Sequence, residues 1–359
     1  MADREDLVER RYTVADLDPI PRLGLIEDAS PVTALPALAG ELGLAYLGVK
    51  RDDQIAALHG GNKPRKLDYL LAVPPYSEAK RWAGLGAIGS GNMVALVAAA
   101  AELGRRVEAH LFWEPISEGV VDNLAFVASG PTDIRFHLSR FTAVIRRPTL
   151  LLGSSAGDPA VLPVGSTSPR STLGSIRAGL ELADQIAAGE LPAPDVLYLA
   201  LGTGGTSIGV ALGLAMAGLK TEVVAVAVVE RPFTTWRQMA RLRAMVADFV
   251  TELGLDVTGH RGPDRFVIDR RHLGSGYAEV TPASLRACRR LASLGVALEP
   301  IYTGKAMAGL LAAAEAGELR GKRVLFWNTR HGGTVPRDDD WRRHLPAALA
   351  IRLARATRI

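Results

Sequence analysis

Along the 359-residue chain, apolar positions alternate between short unbroken runs and runs spaced at helical intervals, and this alternation predicts an α/β architecture. A short helix ending near Gly43 leads into Leu44-Ala45-Tyr46-Leu47-Gly48-Val49, a strand that stops at Lys50-Arg51-Asp52-Asp53. After Gly60-Gly61-Asn62-Lys63-Pro64-Arg65-Lys66-Leu67, helical spacing continues over 67–72 until Pro74-Pro75 ends it. A strand over 81–85, a loop through Gly89-Ser90-Gly91-Asn92-Met93, an alanine-rich helix over 94–103 and a strand over 107–113 make a βαβ unit, so a parallel sheet is expected. A helix over 119–128 follows.

The second half repeats the rhythm. An amphipathic helix over 173–188 precedes Val196-Leu197-Tyr198-Leu199-Ala200, a run of the kind buried on both faces of a sheet. Then come the loop Gly202-Thr203-Gly204-Gly205-Thr206-Ser207, a helix over 208–218 and a strand over 223–229. In a long helix over 234–254, Trp236, Met239, Leu242, Met245 and Val246 are spaced as a core-facing stripe. Helices over 282–294 and 305–316 enclose a short strand at 297–302, and a strand over 324–327 ends at Asn328-Thr329-Arg330-His331-Gly332-Gly333. Residues 1–30 read as a packing arm, and the tail from Trp341 as a helix with a solvated basic face. The proline-, glycine- and serine-rich stretch 145–172 reads equally as plain linker or as a crossing between domains that lines a cleft, with Gly165 and Ser166 as candidate substrate contacts.

The length calls for two domains or one large α/β unit. Lys+Arg 42 against Asp+Glu 38 leaves +4, with the arginines scattered, so no basic field for nucleic acid is expected. One cysteine, Cys288 on a predicted helix, excludes an internal disulfide, and a structural zinc site is not expected. The start of the chain, Met1 to Asp6, is charged, and no apolar run reaches membrane-spanning length, so the expectation is a cytoplasmic protein without a membrane partner.

Two stretches carry candidate chemistry. Gly60-Gly61-Asn62-Lys63 places an amine at the start of a helix, and a lysine Schiff base is how proteins hold pyridoxal phosphate; Lys66 is the rival amine. Residues 202–206 lie between a buried strand and a helix, where glycines let the backbone approach an anion and the first helical amides and threonine hydroxyls donate to it. A dinucleotide fingerprint would need glycine at Ser207, and no Gly-Lys-Ser/Thr closes a nucleotide-phosphate loop, so a single phosphate monoester is the economical ligand. In Ser90-Gly91-Asn92 the asparagine amide can donate to a phenolate-like oxygen, and the neighbouring amides can bind a carboxylate. Together with hydroxyls at Thr303 and Thr329, the set describes pyridoxal phosphate with an amino-acid substrate.

The chain resembles the fold type II pyridoxal-phosphate enzymes, and among them the group of 1-aminocyclopropane-1-carboxylate deaminase and D-cysteine desulfhydrase. The likeness runs from Pro31 to Gly333 and is most specific in Lys50-Arg51-Asp52-Asp53, in Gly60-Gly61-Asn62-Lys63 with Arg65-Lys66-Leu67, and in Glu299-Pro300-Ile301-Tyr302-Thr303-Gly304-Lys305-Ala306-Met307. It implies two open parallel-sheet domains of tryptophan synthase β-like fold. Residues 1–65 and 171–359 would form the large cofactor domain and 66–170 a small insert. It also implies a homodimer and a lyase that gives 2-oxo acid and ammonia. By resemblance Lys63 carries the imine and acts as base, Asn92 meets the cofactor O3′, Gly202, Thr203, Gly204, Gly205 and Thr206 hold its phosphate, Thr303 faces the ring nitrogen, and Tyr277 and Tyr302 face the substrate. Two departures stand out: the group has serine where this chain has Gly91, and Arg330-His331 lengthens its usual Thr-Gly-Gly. In the ring-opening deaminase the residue after the active-site tyrosine is acidic, whereas here it is Thr303, so β-elimination is expected in preference to ring opening. The alternatives are a β-replacement synthase of the same fold and a cofactor-binding protein without turnover.

Overall fold

A computed structural model describes residues 12–153, 158–257, 265–332, 336 and 338–356; the charged start Met1 to Asp6, and Gly333, lie outside the described residues. In chain order the elements are β1 (Val32–Ala34), α1 (Pro36–Glu41), β2 (Tyr46–Arg51), α2 (Lys63–Leu70), β3 (Arg81–Ala87), α3 (Gly91–Glu102), β4 (Arg106–Phe112), α4 (Glu118–Ser129) and β5 (Thr132–His137). They continue with α5 (Arg140–Arg146), α6 (Thr149–Leu152), β6 (Ala160–Val161), α7 (Pro169–Ala187), β7 (Val196–Leu201), α8 (Gly205–Met216), β8 (Glu222–Ala227), α9 (Arg231–Thr234) and α10 (Trp236–Glu252). Last come β9 (Phe266–Asp269), α11 (Pro282–Ala292), α12 (Thr303–Glu315), β10 (Arg323–Asn328) and α13 (Ala347–Arg355).

Two sheets form, one of six strands in the order β1-β2-β10-β7-β8-β9 and one of four in the order β5-β4-β3-β6. All pairings are parallel except β1 with β2. The chain is thus the α/β protein with parallel sheets that its apolar runs predicted.

By contacts the chain divides into two compact units: Met1–Pro21, Glu27–Arg51 and Pro169–Thr329 in the first, and Arg22–Ile26, Asp52–Ser168 and Arg330–Ile359 in the second. The divisions fall at 51/52 and 168/169, where the sequence reading put 65/66 and 170/171, and the tail groups with the second unit. The physical reason lies in two contacts. Asp52 pairs with Arg65 at 2.8 Å, tying the loop after β2 to α2, and Trp341, Leu345 and Leu349 bury in the core beneath α3 and α4.

In the first unit β10 is buried on both faces. Val324 and Phe326 pack with α12, while Leu325 and Trp327 pack with α7 and α8. A strand covered on both sides has no polar face to expose, which is why it reads as an unbroken apolar run. Helices α7 and α8 touch backbone to backbone: a Cβ on Gly213 would lie 2.3 Å from Ile176 O, so only glycine fits there. In the second unit Trp82, Val107, Ala109 and Leu111 face α3 and α4, and Ala83, Leu85 and Val161 face α5 and α6.

Three local expectations are corrected. Residues 297–302 are not a strand, because Glu299 accepts hydrogen bonds from the N–H groups of Ile301 at 2.9 Å and Thr303 at 2.6 Å and turns the segment into α12. The stripe on α10 is only partly core: Met239 and Val246 are buried, whereas Trp236 and Met245 are 46% and 45% exposed. Much of 145–172 is structured, as the end of α5, α6, β6, a 3-10 turn at Val164–Ser166 and the start of α7.

Candidate active site

The second unit carries the lysines. Arg65 grips Asp52 with two bonds, Nε to Oδ2 at 3.1 Å and Nη2 to Oδ1 at 2.8 Å, and Gly61 N donates to Asp52 O at 2.8 Å. This sets the turn that ends at Lys63, the first residue of α2. Lys63 is half-buried, and no hydrogen bond reaches its Nζ among the described residues; loss of hydration pulls its pKa from 10.5 to about 8. Lys66 is also pushed well below its ordinary value, by burial first and then by the charge of Lys63. Loss of charge therefore does not separate the two amines. Their hydrogen bonds differ, because Lys66 Nζ donates to Gly165 O at 3.0 Å and Thr167 Oγ1 at 2.7 Å and is held there.

Ser90 caps α3, its hydroxyl accepting from Met93 N at 3.4 Å, so Gly91 and Asn92 form the first helical turn. Asn92 is buried, and its Oδ1 has no partner among the described residues. Gly165 and Ser166 both lie in left-handed backbone (φ 63° and 52°), and the buried Ser166 Oγ likewise has no partner among the described residues. An unpaired buried acceptor or hydroxyl costs about 1–3 kcal/mol, and such groups mark places where a ligand completes the bonding.

The phosphate-type loop lies in the first unit. Gly202 and Thr203 leave β7, Gly204 takes a left-handed conformation (φ 90°) as the cap of α8, and Gly205 and Thr206 open the helix, presenting first-turn amides. A Cβ on Gly204 would lie 2.6 Å from Met239 Sδ. In the same unit the hydroxyls of Tyr277 and Tyr302 are 3.2 Å apart, with their rings edge to face at 77°. Thr303 is buried, and its hydroxyl is engaged locally: it accepts from Glu299 N at 3.0 Å and points its hydrogen at Glu299 Oε1 or O, at 3.1 and 3.2 Å. Thr329 lies just past β10, half-buried.

Several residues that shape these sites were not singled out by sequence. Glu299 fixes the Tyr302-Thr303 turn. Glu230 accepts from Tyr277 N at 3.2 Å, and the buried Lys305 ammonium donates to Leu273 O at 2.6 Å, holding the loop before Tyr277. The signal for Glu299 was present, an acidic residue just ahead of a helix N-terminus; the contacts of Glu230 and Lys305 span about 30 to 50 residues and left no local mark.

The sequence model of the pyridoxal-phosphate dependent enzymes matches residues 24–329. The D-cysteine desulfhydrase of Salmonella paratyphi C is 32% identical over 301 residues, covering 81% of this chain and 88% of that protein. The 1-aminocyclopropane-1-carboxylate deaminase of Variovorax paradoxus is 31% identical over 335 residues, covering 89% of this chain and 96% of that one. A crystal structure described as an ACC deaminase homologue superposes with a TM-score of 0.73 at 28% identity, over 92% of this chain and 98% of its own.

Proposed function

The chain belongs to the pyridoxal-phosphate-dependent enzymes of fold type II, and from that membership we propose that it is a lyase that releases a β substituent from a small amino acid, giving a 2-oxo acid and ammonia. The observation that carries the reading is Lys63, a desolvated amine of pKa about 8 with no hydrogen bond to Nζ among the described residues. At pH 7.5 about a quarter of such an amine is unprotonated. Pyridoxal phosphate, when bound, supplies an electron sink that acidifies the α proton of an amino acid.

Each role then falls to a group suited to it. Lys63 Nζ would hold the cofactor and is the base suited to take the α proton, since a base needs a pKa near the working pH. Asn92, whose buried Oδ1 has no partner among the described residues, would meet the cofactor O3′ through its amide nitrogen. The amides that open α8, with Thr203 and Thr206, bind the phosphate, and Thr329 lines the cofactor. Ser90, Gly91, Gly165 and Ser166 face the substrate. The Tyr277–Tyr302 pair, joined by the hydrogen bond that the Tyr302 hydroxyl donates to that of Tyr277, faces the substrate. Thr303, on the ring side, is neutral and committed to Glu299, so it offers no charge-assisted bond to strengthen the electron sink. A good β leaving group such as thiolate or chloride is therefore within reach, and opening of a cyclopropane is not. The resemblance adds a homodimer.

The test is to incubate the holoenzyme with D- and L-cysteine, β-chloroalanine and 1-aminocyclopropane-1-carboxylate, with and without an added nucleophile, and measure ammonia and 2-oxo acid. Release from cysteine or β-chloroalanine alone is expected. Release only with the nucleophile would make the protein a β-replacement synthase, the second reading that the Ser90-Gly91-Asn92 loop favours. Robust 2-oxobutanoate from the cyclopropane acid would overturn the assignment of Thr303.

A further inference from the structure

The two departures from the family pattern, Gly91 and the added Arg330-His331, meet in the second unit. A Cβ built on Gly91 would lie 3.7 Å from the Cβ of His331, in van der Waals contact with it. The imidazole reaches in two directions: Nδ1 is 3.0 Å from the backbone carbonyl of His59, and Nε2 is 3.0 Å from Asn123 Oδ1. Asn123 Nδ2 in turn donates to Gly89 O at 2.9 Å, while Gly89 N donates to Glu114 at 2.6 Å.

His59 belongs to a turn in which four successive residues, Leu58 to Gly61, have left-handed backbone, with φ of 48°, 65°, 83° and 82°. Each non-glycine residue in that region costs about 1–2 kcal/mol, and such a turn persists where its surroundings over-determine it. Gly332 N also donates to His59 O at 3.0 Å, and it comes so close to Asp53 that a Cβ would lie 1.9 Å from Asp53 O. Residues 331 and 332 therefore hold the turn that delivers Lys63.

Both ring nitrogens of His331 face oxygens. A neutral imidazole has one N–H and can satisfy only one of them. Asn123 could serve Nε2 by turning its amide nitrogen to the ring, but the turn would take that nitrogen from Gly89 O. Only the imidazolium completes the run from His59 O through His331 and Asn123 to Gly89 O.

We propose that His331 is a positioning residue: protonated, it braces the turn before Lys63 and the Gly89–Asn92 loop as one piece, and loss of its proton releases one end of that brace and loosens the grip on the substrate carboxylate. The proposal rests on the reading of Ser90–Asn92 as the substrate loop. Burial opposes the proton most, the His59 carbonyl favours it, and the charges of Arg330 and the His59 ring oppose it; the balance lies below the ordinary histidine pKa. The brace therefore tightens on the acid side.

The experiment compares wild type, His331→Gln, His331→Ala, Asn123→Ala and the double variant His331→Ala/Asn123→Ala as holoenzymes between pH 5 and 8. It measures kcat and KM for the substrate that wild type turns over, and the affinity for alanine, which has no β leaving group, from the cofactor's visible spectrum. In wild type KM and the alanine Kd should rise about tenfold with pH through one inflection below the histidine range, the effect of one hydrogen bond to a charged group. The variants should lie flat at the high-pH value with kcat within about threefold of wild type, and the double variant should be no weaker than either single, as for members of one network. Survival of the inflection in His331→Gln, additive losses, or a drop in melting temperature with KM and Kd unchanged would overturn the proposal. A wild type that binds alanine but turns nothing over would defeat the lyase reading, while the binding profile would still decide the brace.

Discussion

Lys63 and Lys66 are three residues apart on one helix, yet the fold treats them differently. Lys66 commits its Nζ to Gly165 and Thr167, whereas Lys63 is desolvated without such partners among the described residues. In the cofactor-free protein, between about pH 8 and 10.5 the unfolded chain holds a proton on Lys63 that the folded chain has lost. Stability should therefore rise with pH across that window, and below it the burial costs about 3 kcal/mol. Lys63→Met should accordingly make the cofactor-free protein more stable in urea at pH 7 by about 2–3 kcal/mol and flatten its rise toward pH 10, while abolishing the yellow band that borohydride reduction removes from wild type. A band that persists in Lys63→Met and vanishes in Lys66→Met would reverse the assignment.

At the scale of elements, the sites are held by the ends of helices. The left-handed Gly204 at the head of α8 is constrained twice, by its backbone and by Met239, whose flexible tip lies where a Cβ would go. Gly204→Ala should cost about 1–2 kcal/mol of stability from the backbone alone. Gly204→Asp adds a carboxylate among amides aimed at phosphate, so its cofactor Kd should rise well beyond that of Gly204→Ala; equal Kd values would remove the phosphate from this loop. At α2 the buried pair of Asp52 and Arg65 fixes the approach to Lys63. Asp52→Ala removes the carboxylate that faces a buried guanidinium and should destabilise the protein by up to about 3–5 kcal/mol in chemical denaturation, whereas an unchanged midpoint would mean the pair contributes nothing.

For the whole molecule, removal of the cofactor should be visible as lost stability, because a ligand that binds only the folded state adds about 2.7 kcal/mol at a hundredfold excess over Kd. Thermal scans of wild type with and without pyridoxal phosphate, set beside Lys63→Ala, read this directly: a cofactor-dependent shift is expected in wild type and a much smaller one in the variant. Among the described residues no helix is long and apolar enough to cross a membrane. The covered parallel sheets were legible in the chain because strands buried on both faces, such as Val324 to Trp327, allow no polar alternation, and the helix between them breaks that rhythm.

Lys63, the loop at 202–206 and Asn92 stood out as candidates in the sequence because each rests on neighbours a few residues away: a glycine pair, a strand-to-helix turn, a helix start. Those are local constraints, and they are written contiguously. The false strand at 297–302 shows the limit, since an apolar run looks extended until a carboxylate within it, Glu299, takes the amides that follow. Lys305 on the Tyr277 loop, Lys66 on Gly165, and His331 meeting Asn123, His59 and Gly91 join residues that chain distance separates by about 30 to 270 positions. Only tertiary structure could decide these, because the free energy of a buried amine or imidazole is set by the few groups that replace its water, and the fold alone determines which groups those are.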